Sequence, residues 1–259
     1  MSSAFFQQVA KLETDRIDFI MATVVESGGS TPRTSGARMA ITNGTIIGTI
    51  GGGAVEHKVI IDARRLLMDD SRSTEMISVH LVRDLAMCCG GKMSIFLEKV
   101  TANPKLWIFG AGHIGTELAK LASLSGFDVA VVDDRDDWAN PSRFNPETDV
   151  IEDDPETIIK KTPPKADDFV VVVTHEHALD ERLLRGLFPL ETKFIGLIGS
   201  RGKWAKFTKR LESRGVSSQW LDTVSCPVGL DIGAETPTEI ALSIVAELIM
   251  VRRNGPKWS

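Results

Sequence analysis

The chain has 259 residues, of which 42% are hydrophobic and 25% charged, and its formal net charge is −5. That composition is ordinary for a soluble globular protein with room for two cores, and it offers no electrostatic lure for nucleic acid or an anionic membrane. No apolar run reaches the roughly 18 residues a spanning helix needs, and the start MSSAFFQQVAKLETDR does not read as a secretory signal. Three cysteines make no disulfide framework, so a cytoplasmic chain with free thiols is expected.

In chain order, residues 1–102 read as a small α/β domain. Ser3 is placed to cap a short helix with Phe5, Phe6, Val9 and Leu12 at helical spacing. Ile17 to Val25 is strand-like. Ala37 to Ile41 and Thr45 to Ile50 flank Asn43-Gly44, a two-residue hairpin signal. Gly51-Gly52-Gly53 then opens a helix over 54–68 that buries Val55, Val59, Ala63 and Leu67. Two more strands, 75–82 and 93–100, bracket Met87-Cys88-Cys89-Gly90-Gly91. Thr101-Ala102-Asn103-Pro104 is a polar joint, and residues 103–259 read as a Rossmann-like, doubly wound parallel-sheet domain. Strands are expected near 105–109, 128–132, 168–174 and 193–198. Helices start at Asp154-Pro155, at Ser200, and at the capping box Thr236-Pro237-Thr238-Glu239, which leads an apolar face of Ile240, Ile244, Val245, Leu248 and Ile249.

The stretch Lys105 to Arg135 carries a GxGxxG fingerprint, with a buried strand before it and a helix after it. A second strand ends at Asp133 and Asp134, Asp133 lying 23 positions beyond Gly110. In that pattern Gly110 permits the tight turn, Gly112 lets backbone approach a phosphate, and Gly115 lets the helix pack closely. Asp133 stands where a ribose would be held, which predicts NAD(P) or FAD binding. The plain alternative is a set of glycines that serve packing alone. A second glycine-rich corner, Gly51-Gly52-Gly53, delivers a strand to a helix start and is a second candidate anion cradle, with Arg33 and Arg38 nearby. Cys88 and Cys89 are soft donors suited to a soft metal or to sulfur transfer. Gly90 and Gly91 would allow a bulky ligand to approach, unless the thiols are simply buried small hydrophobes. His175, His177 and Asp180 follow an apolar strand at what should be the ligand-bordering end of the sheet, placed to ligate a metal or exchange protons. Ser200-Arg201-Gly202-Lys203 and Cys226-Pro227 follow later strands of the same sheet.

Taken together, these blocks resemble the xanthine dehydrogenase accessory protein family, XdhC/CoxI, over nearly the full length. They run from Gly29-Ser30-Thr31-Pro32-Arg33 through Ile50 to Glu56, Cys88 to Gly91, and Phe109-Gly110-Ala111-Gly112-His113-Ile114-Gly115. Thr174 to Asp180, Ile195 to Arg201, Cys226 to Leu230 and the TPTEIA entry to the last helix complete the set. The resemblance implies a maturation chaperone more than an enzyme. It would bind molybdenum cofactor, support its sulfuration with a cysteine desulfurase, and insert it into a xanthine dehydrogenase-type molybdenum hydroxylase, and it would form a homodimer. Cys89, before Cys88, would touch the molybdenum, because the family pattern holds the CGG triplet better than the residue ahead of it. Gly51, Gly52, Gly53, Gly90, Gly91, Gly110, Gly112, His113, Gly115, Asp133 and His175 would line cofactor sites. The reading from a different class is an NAD(P)-dependent oxidoreductase that uses the fingerprint, with His175 or Asp180 handling the proton.

Overall fold

Alternation of buried and exposed side chains builds the first sheet, and continuous apolar runs build the second. The computed structural model describes residues 3–29, 31–69, 71–80 and 91–253, and the chain divides into units spanning Met1–Asn103 and Pro104–Ser259. The candidate ligand-binding residues Cys88, Cys89 and Gly90 lie outside the described residues.

The N-terminal unit runs α1 (Ser3–Thr14), β1 (Phe19–Gly28), β2 (Arg38–Ile41), β3 (Ile46–Gly48), α2 (Gly53–Leu67), β4 (Thr74–His80) and β5 (Lys92–Val100). Its sheet has the order β3-β2-β1-β5-β4, with each neighbouring pair antiparallel. The Asn43-Gly44 turn joins β2 to β3, and the Thr42 N–H donates to the Thr45 carbonyl across it (2.9 Å). One face of the sheet buries Ile20, Ala22, Val24, Met93, Ile95 and Leu97 against Val55, Val59, Ala63 and Leu66 of α2. Leu66, not the expected Leu67, is fully buried, a shift of one residue around the last helical turn. The opposite face takes Phe5, Val9 and Leu12 of α1, while Phe6 stays half exposed at 49%.

The second unit runs β6 (Lys105–Phe109), α3 (His113–Leu124), β7 (Asp128–Asp133), β8 (Asp149–Glu152), α4 (Pro155–Lys161), β9 (Phe169–Val172) and α5 (His177–Leu187). It continues with β10 (Phe194–Leu197), α6 (Arg201–Glu212), α7 (Ser218–Leu221), β11 (Val224–Ser225) and α8 (Pro237–Arg252). All neighbours in the order β11-β10-β9-β6-β7-β8 are parallel. Numbered within this unit, that is 6-5-4-1-2-3, the doubly wound arrangement in which the winding reverses between the first and fourth strands. Alternate residues of the same strands serve two cores. Leu106, Ile108, Val129, Val131 and Val171 pack with α3 and α8, while Trp107, Phe109, Ala130, Val132, Val170 and Val172 pack with α4, α5 and α6. The helix starts expected at Asp154, Ser200 and Thr236 are present. Each side chain accepts a backbone N–H, and Thr236 and Glu239 form the reciprocal capping box. Among the described residues no helix is long and apolar enough to cross a membrane.

A Cβ on Gly115 would lie 1.9 Å from the Gly110 carbonyl oxygen, and backbone cannot swing aside as a flexible side chain can. Gly115→Ala is therefore expected to destabilise the protein by at least about 3 kcal/mol, the upper end for an overpacked site, read as a lowered urea midpoint with an unchanged slope.

Candidate functional site

The winding reversal puts the carboxyl ends of β6 and β9 side by side, and the fingerprint loop leaves β6 at that point. Gly110 has φ +119°, and a Cβ there would meet the Val173 carbonyl oxygen at 2.5 Å and Thr174 Cα at 3.0 Å. Only glycine lets this turn lie against the chain leaving β9. A Cβ on Gly112 would meet nothing within 4 Å. No side chain caps α3, which starts immediately after Gly112. The loop thus ends in a helix start with no capping side chain, the kind of terminus that receives a phosphate. His113 and His175 are both exposed beside it, His113 with its ring edge-on to Trp138 (centroids 5.1 Å apart).

Asp133 ends β7 and is 3% exposed. Its Oδ2 accepts the Ala111 N–H (2.7 Å) and Arg135 Nη2 (2.8 Å). Its Oδ1 accepts the Arg135 backbone N–H (3.1 Å) and Nε (2.8 Å). Burial would raise its pKa, but the Arg135 side chain and the Ala111 and Arg135 N–H groups outweigh it and hold the carboxyl below its ordinary value. The expected ribose contact therefore meets a carboxylate already turned inward and engaged. Arg143, from the 3-10 turn Pro141–Arg143 before β8, fastens the same glycine loop. Its Nη1 donates to the carbonyls of Trp138 (2.9 Å) and Ala111 (3.3 Å), and its Nη2 to the Thr116 hydroxyl (3.2 Å). Both guanidiniums lie over the Trp138 ring, at 5.0 Å for Arg135 and 4.5 Å for Arg143. An open cleft of about 470 Å³ adjoins this corner, lined by His113, Thr116, Arg143 and Pro237 among others.

Further along the sheet end, Asp180 is fully buried. It accepts from the Thr174 hydroxyl (2.6 Å) and from Lys203 Nζ (2.7 Å), and Lys203 also donates to the Ile198 carbonyl (2.9 Å). This pair joins α5 to the first turn of α6. His177 Nδ1 stands 3.7 Å from the same carboxylate, with its side chain 77% exposed. Of the two roles open to His175, His177 and Asp180, metal ligation finds no cluster: among the described residues no group of three His, Cys, Asp or Glu could hold a metal. Cys226 lies in the field of this pair. Burial pushes its thiol up to about 11, opposed by Lys203 and reinforced by Asp180, so it stays protonated and unreactive at neutral pH.

In the N-terminal unit, the register pairs Gly28 with Lys92, so Gly91 enters β5 at the sheet end where β1 leaves. Gly51 lies close to the loop after β1, since a Cβ there would meet Pro32 Cβ at 2.6 Å. The sequence blocks around Pro32-Arg33, Gly51–Gly53 and Gly91 therefore converge on one end of that sheet. The glycine corner is not free. Gly51, Gly52 and Gly53 have φ +134°, +78° and +62°. Their turn wraps the Glu56 carboxylate, whose Oε1 accepts the N–H groups of Ile50 (3.0 Å), Gly51 (3.1 Å) and Gly52 (2.7 Å) and the Thr49 hydroxyl. Burial would raise the Glu56 pKa, but these bonds prevail and lower it. The phosphate expected on Gly51, Gly52 and Gly53 meets, at the first two, N–H groups already committed to a carboxylate from within the chain.

Residues 106–248 match the family model described as the XdhC Rossmann domain, and residues 13–79 match the one described as the XdhC and CoxI family. This chain belongs to the XdhC family. It is 36% identical over 256 residues to the uncharacterized protein YqeB of Escherichia coli (strain K12), covering 97% of this chain and 47% of YqeB. It is 37% identical over 161 residues to a Bacillus subtilis (strain 168) protein described as a probable xanthine dehydrogenase subunit, covering 62% of this chain and 46% of that protein. The chain thus spans about half the length of these curated relatives. A crystal structure described as a xanthine dehydrogenase from Bacillus halodurans shares the fold. Its TM-score is 0.56 at 24% identity, over 100% of this chain and 98% of that one.

Within this XdhC chain, sequence reasoning passed over Glu56, Arg135, Trp138, Arg143 and the role of Lys203. Glu56 and Lys203 sat inside quoted motifs, and the i, i+2 spacing of Asp133 and Arg135 was a local clue. Nothing in the sequence joins Arg143 to the loop around Ala111, 32 residues earlier.

Lys203→Met leaves the Asp180 charge buried without its cation, and chemical denaturation should show a loss of about 3–5 kcal/mol. Glu56 has a folded pKa below its ordinary 4.5. Its stabilisation is therefore complete above that value and is lost as pH falls through the lower folded pKa. Glu56→Gln removes this dependence, so a flatter acid limb in thermal melts is the expected result, and an unchanged limb would refute the assignment.

Proposed function

We propose that this chain carries molybdenum cofactor, a pterin with a phosphate and a dithiolene-held molybdenum, as cargo for a xanthine dehydrogenase-type molybdenum hydroxylase. Membership of the XdhC family supports this reading, as do the names of two similar proteins, a xanthine dehydrogenase and a probable xanthine dehydrogenase subunit. The observation that carries it is the uncapped helix start at Gly112, open where a Cβ would meet nothing and set at the winding reversal of the sheet. A phosphate group on the cargo is matched by those N–H groups. Cys89, with Cys88 beside it and Gly90 and Gly91 after it, supplies the soft donor suited to molybdenum and sulfur. Sulfuration of the cargo with a cysteine desulfurase, transfer to the hydroxylase and action as a homodimer complete the proposal. The chain's own residues bind and orient the cargo; none is asked to transform it.

An NAD(P)-dependent oxidoreductase is the second reading, favoured by the strand order and the GxGxxG loop. It must do without Asp180 as a proton carrier, since that carboxylate is fully buried and bonded to Thr174 and Lys203.

Protein purified from a cofactor-producing host should contain molybdenum and pterin and should revive a cofactor-free hydroxylase. Cys89→Ala should reduce retained molybdenum by about tenfold or more while circular dichroism stays unchanged. Full retention by that variant would remove the thiol from the mechanism, and a consistently empty wild type would end the proposal.

A further inference from the structure

The geometry points to Arg135 as a specificity residue that closes the second unit's crevice to ribose. It holds both oxygens of Asp133, so that the corner takes a phosphate-bearing ligand with no diol at the end of β7. The inference rests on the reading of this crevice as a phosphate site and concerns which phosphate ligands it accepts. In doubly wound dinucleotide sites the acid at the end of the second strand accepts hydrogen bonds from ribose hydroxyls. A carboxylate offers about four acceptor positions. Here all four are filled, three by Arg135 and one by the Ala111 N–H. The carboxylate is 3% exposed, whereas the Arg135 side chain is 29% exposed and lies on the solvent side of it.

The arrangement is held from more than one direction. Arg135 stacks over Trp138, and Trp138 is itself covered by Arg143 and touched by the His113 ring. A ribose arriving at the end of β7 would have to break a bidentate, charge-assisted pair to find an acceptor, an exchange that gains little. Asp134 is the next acid in the chain and is exposed, so the test must separate it from Asp133. Pyrophosphate, by contrast, needs only the N–H groups that follow Gly112.

The test is titration of the full chain, followed by intrinsic tryptophan fluorescence and calorimetry, with pyrophosphate, ADP-ribose and NADH. Wild type should bind ADP-ribose and NADH no more tightly than pyrophosphate, because the ribose adds no bonds. Arg135→Ala bares Asp133 and should tighten ADP-ribose by about tenfold or more, the worth of one or two hydrogen bonds to a charged group. Its pyrophosphate affinity should stay within about threefold of wild type. Adding Asp133→Asn should abolish the gain. Arg135→Met, which keeps apolar packing on Trp138, serves the same purpose if the alanine variant does not fold. A wild type that binds ADP-ribose at least about tenfold more tightly than pyrophosphate overturns the inference, and loss of that preference in Asp134→Asn would name the residue responsible. A folded Arg135 variant with no gain overturns it equally. Absence of pyrophosphate binding to wild type instead defeats the underlying crevice reading, so the two failures are distinct.

Discussion

The backbone of Ala111 is the point on which the second unit's crevice depends. Its N–H is fixed by Asp133, and its carbonyl accepts from the Thr116 hydroxyl and from Arg143. Asp133 ends β7, Thr116 lies in α3, and Arg143 comes from the 3-10 turn ahead of β8, so three separate segments grip the two peptide groups that flank one residue. The flanking glycines complete the constraint, because Gly110 lies against the chain leaving β9 and Gly115 against the Gly110 carbonyl. A loop held this way presents its following N–H groups without having to be ordered on binding. That is the entropic advantage of a pre-formed anion site.

The two glycine corners look interchangeable as strings of residues, yet they differ in what answers their N–H groups. At Gly51–Gly53 the chain supplies its own anion, Glu56, three residues into the helix it opens. At Gly110–Gly115 the equivalent helix start has no capping side chain. Backbone geometry alone selects an anion in both places. Whether the anion is a side chain or a ligand is decided by a single acid within reach. The N-terminal corner therefore gains rigidity and a fixed charge, which the second corner does not receive from a capping side chain.

Much of this was legible from residues. The Asn43-Gly44 hairpin, the three capped helix starts and the separate roles of Gly110 and Gly115 rest on local sterics and hydrogen bonding, which short motifs encode directly. The resemblance to XdhC proteins likewise stood on motif order. What escaped detection depended on contacts between distant residues or on very short elements. β8 and β11 are four and two residues long and owe their strand character to neighbours more than to their own pattern. The engagement of Asp133 depends on where Arg135 folds back, and that of Asp180 on Lys203, 23 positions later. Helix periodicity placed α2 correctly but could not separate Leu66 from Leu67 at its final turn, where the arc facing the sheet is about one residue wide.

The fate of the acids bears on what kind of protein this is. A catalyst of proton transfer needs a carboxylate or imidazole whose proton can come and go near its substrate. Glu56, Asp133 and Asp180 lie at the glycine corners and sheet ends, and each is bound to fixed donors: a backbone nest, an arginine and a lysine respectively. At Glu56 and Asp133 these partners hold the carboxyl below its ordinary pKa, and at all three they spend its lone pairs on architecture. Cys226 is restrained in the opposite sense, its thiol kept protonated by burial. Strong interactions in both units thus go into fixing the shape of the loops. In the cargo role proposed above, these acids would act on the ligand indirectly, by fixing the loops that meet it.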